Sequence, residues 1–283
     1  GLRLLLWGYF KKCVIADNMA PYADSVFAAD AHPNATGVLL GTAAFAIQAY
    51  GDFSGYSDIA KGSARLFGFE LVYNFRYPYF ASSMRDYWHR WHISMSTWFR
   101  DYVYIPLGGS RKGIVRSNVN IFTTFVLSGL WHGANWTFVL WGAWHGIAQA
   151  FENIYNHFRG PKFPTIIRHI LVLIIAWGSY IFLRSPDIAT ALERFAAFAK
   201  FDWSLRISDF GTPTLVQSSI YFWGLIALVC VLFITEWFAF KNKFSWFFTM
   251  PKLIRLAIYY SLIGVILVYG VYEAPPAFIY FQF

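Results

Sequence analysis

The chain has 283 residues, of which 57% are hydrophobic and only 13% are charged. An average soluble domain carries about 25% charged residues, so this composition excludes an ordinary water-soluble globular protein. Lys and Arg outnumber Asp and Glu by 23 to 15, which gives a formal net charge of +8. Because the basic residues lie between apolar stretches, we attribute the excess to a membrane surface and expect no nucleic-acid partner.

Two apolar segments begin the chain. Leu2 to Ile15 is interrupted by Lys11 and Lys12, so it is either a truncated membrane span or an interfacial helix. Thr36 to Tyr50 continues into the polar run Asp52 to Lys61 at helical spacing, which predicts a helix that lines protein rather than lipid. Since the chain starts without Met and without a signal peptide, we expect it to be the C-terminal part of a longer protein.

Five further segments complete the predicted helices. Tyr79 to Leu107 mixes aromatic and charged residues, so it is expected inside the bundle or at the interface. Ser117 to Phe151 contains no Asp, Glu, Lys or Arg and is long enough for one long span or a broken pair of spans. Single spans are predicted for Ile166 to Leu183, Phe210 to Thr235 and Leu256 to Tyr272.

The charges of the loops predict their sides of the membrane. Three loops are basic, whereas Arg184 to Asp209 balances acids and bases, so the positive-inside rule puts the basic loops in the cytoplasm. Ser117 to Phe151 then has both flanks in the cytoplasm and must cross twice or enter and return as a broken helix. The predicted fold is one all-α domain over 1–283, a polytopic transmembrane helical bundle with broken or re-entrant and interfacial helices. The basic loops contain Arg111, Lys112 and Arg116, then Arg159, Lys162 and Arg168, then Lys241, Lys243, Lys252 and Arg255.

The first candidate catalytic residues are two histidines. His132 and His145 lie in the charge-free segment, and ionisable groups inside a bilayer are costly enough to be functional candidates. The alternative is that each is a core histidine satisfied by a neighbouring helix.

A second cluster is His89, His92 and Ser96, whose spacing would put each neighbouring pair on one helix face. His89, His92 and His132 could supply three imidazoles to a metal ion, but no Glu or Cys completes a usual ligand set, so we predict no metal site. A triad of Ser96, His92 and Asp101 is disfavoured because no nucleophile elbow surrounds the serine.

Two further motifs are interpreted as scaffold. Asp52 and Asp58 are expected to form ion pairs with a basic residue such as Arg85, Arg90 or Arg100. The basic turn Gly108–Gly113 lacks the spacing of a phosphate-binding P-loop, although it would also suit contact with a phosphorylated donor.

Several motifs together resemble the membrane-bound O-acyltransferase family, and within it the bacterial alginate O-acetyltransferase branch. They occur in order along the chain, and the catalytic motif region covers about 50–155. The end of the chain, Phe278 to Phe283, also looks like that branch. The motifs are Asp52–Asp58 (DFSGYSD), Tyr87–Tyr102 (YWHRWHISMSTWFRDY), Tyr104–Gly109 (YIPLGG), Gly129–Trp136 (GLWHGANW) and Trp141–Gly146 (WGAWHG).

The resemblance implies a funnel-shaped helical body with a histidine at its centre. By motif position, His132 matches the family's catalytic histidine and His92 its second active-site position. His145, in a further Trp-His-Gly, is a supporting candidate. Physical reasoning adds that a buried neutral imidazole can take the proton of an attacking hydroxyl, and that Asn135 could donate to an oxyanion. Ser96 is kept as a further supporting candidate.

The function expected from these motifs is acetyl transfer through the bacterial inner membrane to a periplasmic or cell-surface polysaccharide such as alginate. The donor would be acetyl-CoA or another acetyl thioester on the cytoplasmic side, with no bound cofactor and with a separate acceptor-side protein as partner. Three alternatives stay open: the same family acting on peptidoglycan or in teichoic acid D-alanylation, a transporter or flippase with a histidine path, and a structural scaffold.

Overall fold

The computed structural model describes residues 1–28, 30–161, 163–204, 219–241, 245–273 and 276–278, and this part of the chain contains helices and no strand. The all-α prediction is therefore confirmed. The helices group into two compact units, one formed by residues 1–73 and 203–282 and the other by residues 74–202. The single domain over 1–283 stays a prediction.

The first unit begins with a helix that changes its winding. Helix α1 (Leu2–Tyr9) continues through a π-helical segment (Phe10–Ala16) into α2 (Asp17–Phe27), and this run packs against the long helix α3 (Ala35–Leu66). Asn34 caps α3, since its side-chain oxygen accepts from the backbone N–H of Gly37 at 2.9 Å.

Ion pairs join this first run to α3. Lys12 Nζ lies 2.7 Å from Asp17 Oδ1 and 2.6 Å from Asp52 Oδ1, and Lys11 Nζ lies 2.6 Å from Asp58 Oδ2. The prediction that Asp52 and Asp58 form ion pairs is confirmed, but the predicted partners are wrong, and the scaffold role of the two acids stays a prediction. Because α1, the π segment and α2 pack along α3, the nearest cations are two lysines from the first helical run.

The three arginines that were candidate partners contact residues of their own unit. Arg90 pairs with Asp86 one turn earlier, and Arg100 pairs with its neighbour Asp101. Local carboxylates satisfy both guanidinium groups. Arg85 donates to Asn153 Oδ1 at 3.3 Å.

The first unit also contains α10 (Ser219–Phe240), α11 (Ser245–Thr249) and α12 (Lys252–Tyr269). Within it a core forms from apolar residues of the π segment and α10: Phe10, Val14, Ile15, Val229 and Leu232.

Three described helices are long and apolar enough to cross a membrane: Thr165–Arg184, Tyr221–Phe240 and Lys252–Tyr269. They overlap the three single spans predicted from the sequence and confirm apolar helices there, whereas their crossing of a membrane stays a prediction. Residues 210–218 of the predicted Phe210 to Thr235 span lie outside the described residues.

The second unit contains a hairpin of two long helices. A 3₁₀ turn (Pro78–Phe80), α4 (Met84–Trp88), α5 (Ile93–Phe99) and a π-helical segment (Arg100–Tyr104) precede α6 (Gly113–His132) and α7 (Trp136–His157). Helices α8 (Thr165–Arg184) and α9 (Ile188–Ala199) follow.

Helices α6 and α7 pack very closely because glycines lie at their contact. A Cβ added to Gly142 would lie 2.3 Å from the backbone oxygen of Phe125, and one added to Gly129 would lie 2.2 Å from that of Phe138. The chain reverses at Gly133–Asn135, which confirms the predicted break in the charge-free segment. That the two helices cross the membrane and return stays a prediction.

Candidate active site

His132 is the last residue of α6 and lies at the turn of the hairpin. Its ring is 5.0 Å from the ring of Trp131 and 5.0 Å from that of Trp141, both in edge-to-face geometry. The imidazole is therefore held between two indoles, one from each side of the turn. Such contacts fix a side chain without adding a formal charge.

His92 lies on a different element but faces the same tryptophan. It is the N-terminal cap of α5, only 7% exposed, and its ring centroid is 6.4 Å from that of Trp131. It lies outside the three candidate spans. Burial lowers the pKa of His92 to about 3, and the charge of His132 contributes to the same shift. His92 is therefore neutral at physiological pH and close to His132.

The proton of His92 can be assigned from its partner. Asn74 Oδ1 accepts hydrogen bonds from the backbone N–H of Ser94 at 3.1 Å and from its hydroxyl at 3.0 Å, which identifies this atom as the amide oxygen. The Nδ1 of His92 lies 3.3 Å from the same oxygen. Nδ1 must then carry the proton, and Nε2 is the basic nitrogen.

The prediction that His89, His92 and Ser96 share helix faces is wrong. His89 ends α4, whereas His92 begins α5 with a left-handed backbone at φ 45°. Ser96 donates its hydroxyl proton to the carbonyl of Trp91 at 3.2 Å, and Asp101 pairs with Arg100. The three members of the disfavoured triad are thus each engaged elsewhere, and the supporting role of Ser96 stays a prediction.

His145 lies inside α7 and is 1% exposed. Its Nε2 is 2.9 Å from Ser179 Oγ on α8, and its ring is 5.0 Å from that of Trp141. Trp141 thus contacts both His145 and His132. The structure brings all three predicted histidines to one pair of tryptophans.

Asn135 caps α7, because its Oδ1 accepts from the backbone N–H of Thr137 at 3.1 Å. Its Nδ2 donates to the carbonyl of Pro186 at 2.9 Å. These two bonds hold the hairpin turn in place, so a contribution of its second N–H to an oxyanion stays a prediction. Within the described ranges, no three residues of His, Cys, Asp or Glu come together as metal ligands.

Several residues of this site were missed by the sequence reasoning. Trp141 precedes His145 by four residues on one helix, so helical periodicity could have placed their side chains together. Trp131 directly precedes His132. No signal in the sequence points to Asn74 or Ser179, which lie on other elements.

Among the known proteins similar to this chain are relatives whose alignments cover most of it. A probable alginate O-acetylase AlgI of Azotobacter vinelandii is 41% identical over 221 residues, covering 78% of this chain and 44% of the relative. The peptidoglycan O-acetyltransferase of Helicobacter pylori is 31% identical over an alignment that covers 100% of this chain and 56% of the relative. The chain thus spans about half the length of these curated relatives.

A more distant relative matches a shorter part of the chain. The teichoic acid D-alanyltransferase of Bacillus subtilis is 31% identical over 140 residues, covering 47% of this chain and 35% of the relative. The family model for membrane-bound O-acyltransferases matches residues 1–185, which include the hairpin and all three histidines. The chain therefore belongs to the membrane-bound O-acyltransferase family.

Proposed function

We propose that this protein transfers acetyl groups from a thioester donor on the cytoplasmic side of the membrane to hydroxyl groups of a periplasmic or cell-surface polysaccharide. The observation that carries the proposal is the placement of His132 at the hairpin turn, packed against Trp131 and Trp141 and close to His92. Family membership and the acetyl-transferring relatives support the reaction type.

The proposed base is His132. As an acceptor hydroxyl attacks the thioester carbonyl, its proton passes to the imidazole, and the O–C bond forms. The tetrahedral intermediate then collapses, the C–S bond breaks, and the imidazolium returns the proton to the departing thiolate. The aromatic surroundings of His132 favour the neutral ring that this step requires at the start.

His92 is proposed to orient the acceptor. Because Nδ1 of His92 donates to Asn74, its Nε2 can accept a hydrogen bond but cannot donate one to a carbonyl oxygen. This assignment favours orientation of a hydroxyl group over polarisation of the thioester carbonyl.

The donor, the acceptor-side partner and the membrane belong to the same proposal. Acetyl-CoA or another acetyl thioester would approach from the side of the basic loops, and a separate periplasmic protein would receive or deliver the acetyl group. The basic loops support a cytoplasmic donor side and hence an inner-membrane location. Family membership argues against the transporter and scaffold alternatives.

The test measures acetyl esters on surface polysaccharide in cells that carry the full-length protein. His132→Ala is expected to abolish ester formation at an unchanged membrane level, and His92→Ala to reduce it strongly. His157→Ala is the matched control, since this exposed histidine lies at the other end of α7. Esters retained in His132→Ala would refute the assignment of the base.

Peptidoglycan is the second candidate acceptor. It is favoured by the alignment of the Helicobacter pylori relative with the whole of this chain, although its identity is lower than that of the alginate acetylase relatives. Acetyl content should therefore be measured in both polymers of the same cells. Loss from peptidoglycan alone in a strain lacking the protein would replace the alginate-like acceptor by peptidoglycan.

A further inference from the structure

We propose that His145 is a positioning residue that fixes the indole of Trp141 against the imidazole of His132. This inference rests on the proposed function, because it assigns His132 the role of base. It also gives the second histidine of the hairpin a role distinct from that of the first.

His145 is enclosed by side chains of its own unit. Its ring centroid is 4.9 Å from that of Trp88 and 5.0 Å from that of Trp141, both edge to face. Phe125 lies at 6.2 Å, and Tyr87 stacks in parallel at 6.5 Å. With 1% exposure, the imidazole has no surface to offer to a substrate.

One hydrogen bond fixes the orientation of this ring. The hydroxyl of Ser179 donates to the carbonyl of Ala176 at 2.6 Å, so its oxygen accepts at 2.9 Å from the N–H at Nε2 of His145. The proton of the neutral ring is therefore on Nε2. Nδ1 is buried and has no hydrogen-bond partner among the residues that the structure describes.

Trp141 connects this fixed ring to the proposed base. Its ring centroid is 5.0 Å from His132 on one side and 5.0 Å from His145 on the other, with interplanar angles of 84° and 70°. The backbone beside Trp141 is held as well, because Gly142 packs directly on the backbone of Phe125. With its backbone fixed, the indole can shift only if one of its ring neighbours shifts, and His145 is one of them.

The identity of the residue matters for two reasons. A planar ring at position 145 fills the space between four aromatic side chains, and a donor at its Nε2 position satisfies Ser179. Glutamine keeps the donor at the same number of bonds from the backbone but cannot take up a proton. Alanine keeps neither property and leaves a cavity beside Trp141.

Acetyl transfer by the full-length protein in its membrane tests the proposal. Per folded molecule, His145→Gln is expected to stay within about threefold of wild type from pH 6 to pH 8, whereas His145→Ala falls about tenfold or more because the base is misplaced. His132→Gln is expected to be inactive. If His145→Gln is as inactive as His132→Gln, His145 is a catalytic residue and the proposal is wrong. Wild-type rates in His145→Ala would also overturn it.

Ser179→Ala provides a smaller change that preserves the packing of the rings. It is expected to lower transfer several-fold alone and to cause no further loss when added to His145→Ala, since both changes remove the same bond. Additive losses would overturn the proposal.

The melting temperatures of wild type, His145→Ala, Ser179→Ala and the double variant distinguish a failure of this inference from a failure of the proposed function. If the two substitutions lower the melting temperature non-additively, the bond between His145 and Ser179 is present whether or not acetyl is transferred. A wild-type protein without acetyl transfer but with coupled melting temperatures refutes the proposed function alone. Uncoupled melting temperatures refute the positioning bond, whatever the activity.

Discussion

In the first unit, Lys11 and Lys12 reach three carboxylates at 2.6–2.7 Å, whereas in the second unit His145 is enclosed by aromatic rings and a serine hydroxyl. Both arrangements bury polar groups at a cost in desolvation. The ion pairs bring opposite charges together and join helices, as is expected of scaffold. Neutral imidazoles held by ring contacts keep a nitrogen lone pair, which is what proton transfer requires.

The largest effect is expected from removing the cation shared by two acids. Lys12→Met leaves Asp17 and Asp52 buried without it, which should lower the free energy of unfolding by about 3–5 kcal/mol. Denaturant unfolding of the full-length protein in detergent measures the loss. Adding Asp17→Asn and Asp52→Asn should restore most of it. Wild-type stability of Lys12→Met would show that these charges are not scaffold.

Close packing of the hairpin provides the next test. Gly142→Ala places a Cβ 2.3 Å from the backbone oxygen of Phe125 and should cost about 3 kcal/mol, because the backbone cannot yield without separating α6 from α7. Thermal melting combined with the acetylation assay should show both losses together. Gly264→Ala is the matched control, since no described atom lies within 4 Å of its added Cβ. Equal melting temperatures for the two variants would contradict the contact.

The pH dependence of the free energy of unfolding tests whether the buried His92 is neutral in the folded protein. Folded His92 keeps its pKa near 3, whereas unfolded histidine takes a proton below about pH 6.5, so stability falls as the pH falls through this window. Between pH 7.5 and 5.5 this group should account for about 1.4 kcal/mol.

Between pH 7.5 and pH 5.5, the unfolding free energy of the variant His92→Asn should fall by about 1.4 kcal/mol less than that of wild type. Asparagine tolerates the left-handed backbone at this position, so the comparison preserves the turn. An unchanged slope would mean that the pKa of His92 is not lowered in the folded protein, contrary to its burial.

The smallest effect is expected at an exposed ion pair of the first unit. Arg65 donates to Glu70 at 2.8 Å and lowers the pKa of that carboxyl, yet both groups are exposed to screening by water and salt. Because Glu70 also contacts the buried Lys61, the substitution that tests the exposed pair is Arg65→Gln. It should leave the melting temperature within experimental scatter at neutral pH. A large drop would show that ion-pair strength in this unit does not depend on burial.

The sequence predicted those features that depend on local pattern. Absence of charge from Ser117 to Phe151 and basic residues on both flanks indicated the hairpin, and polar residues in that segment indicated His132 and His145. The motifs identified the family. Each of these signals is contained in a short stretch of chain.

What could not be predicted depends on contacts between distant residues. Asp52 pairs with Lys12 because α3 packs along the first helical run, and the sequence alone contains no measure of that packing. The helix-face prediction for His89 and His92 failed because a left-handed residue interrupts the helix where no glycine or proline marks the break. Asn74, which sets the tautomer of His92, lies 18 residues earlier, before the 3₁₀ turn and α4.

The π-helical winding at Phe10–Ala16 has a consequence for how this protein can tolerate insertions and deletions. Each π turn accommodates one more residue than an α turn, as the bond from the backbone N–H of Asp17 to the carbonyl of Lys12, five residues earlier, shows. Deleting one residue between Lys12 and Asp17 would therefore restore α winding while the helix on either side keeps its face towards α3. Such a deletion is expected to be better tolerated here than in a regular α-helical turn of α3, where it would rotate the residues beyond it by about 100°.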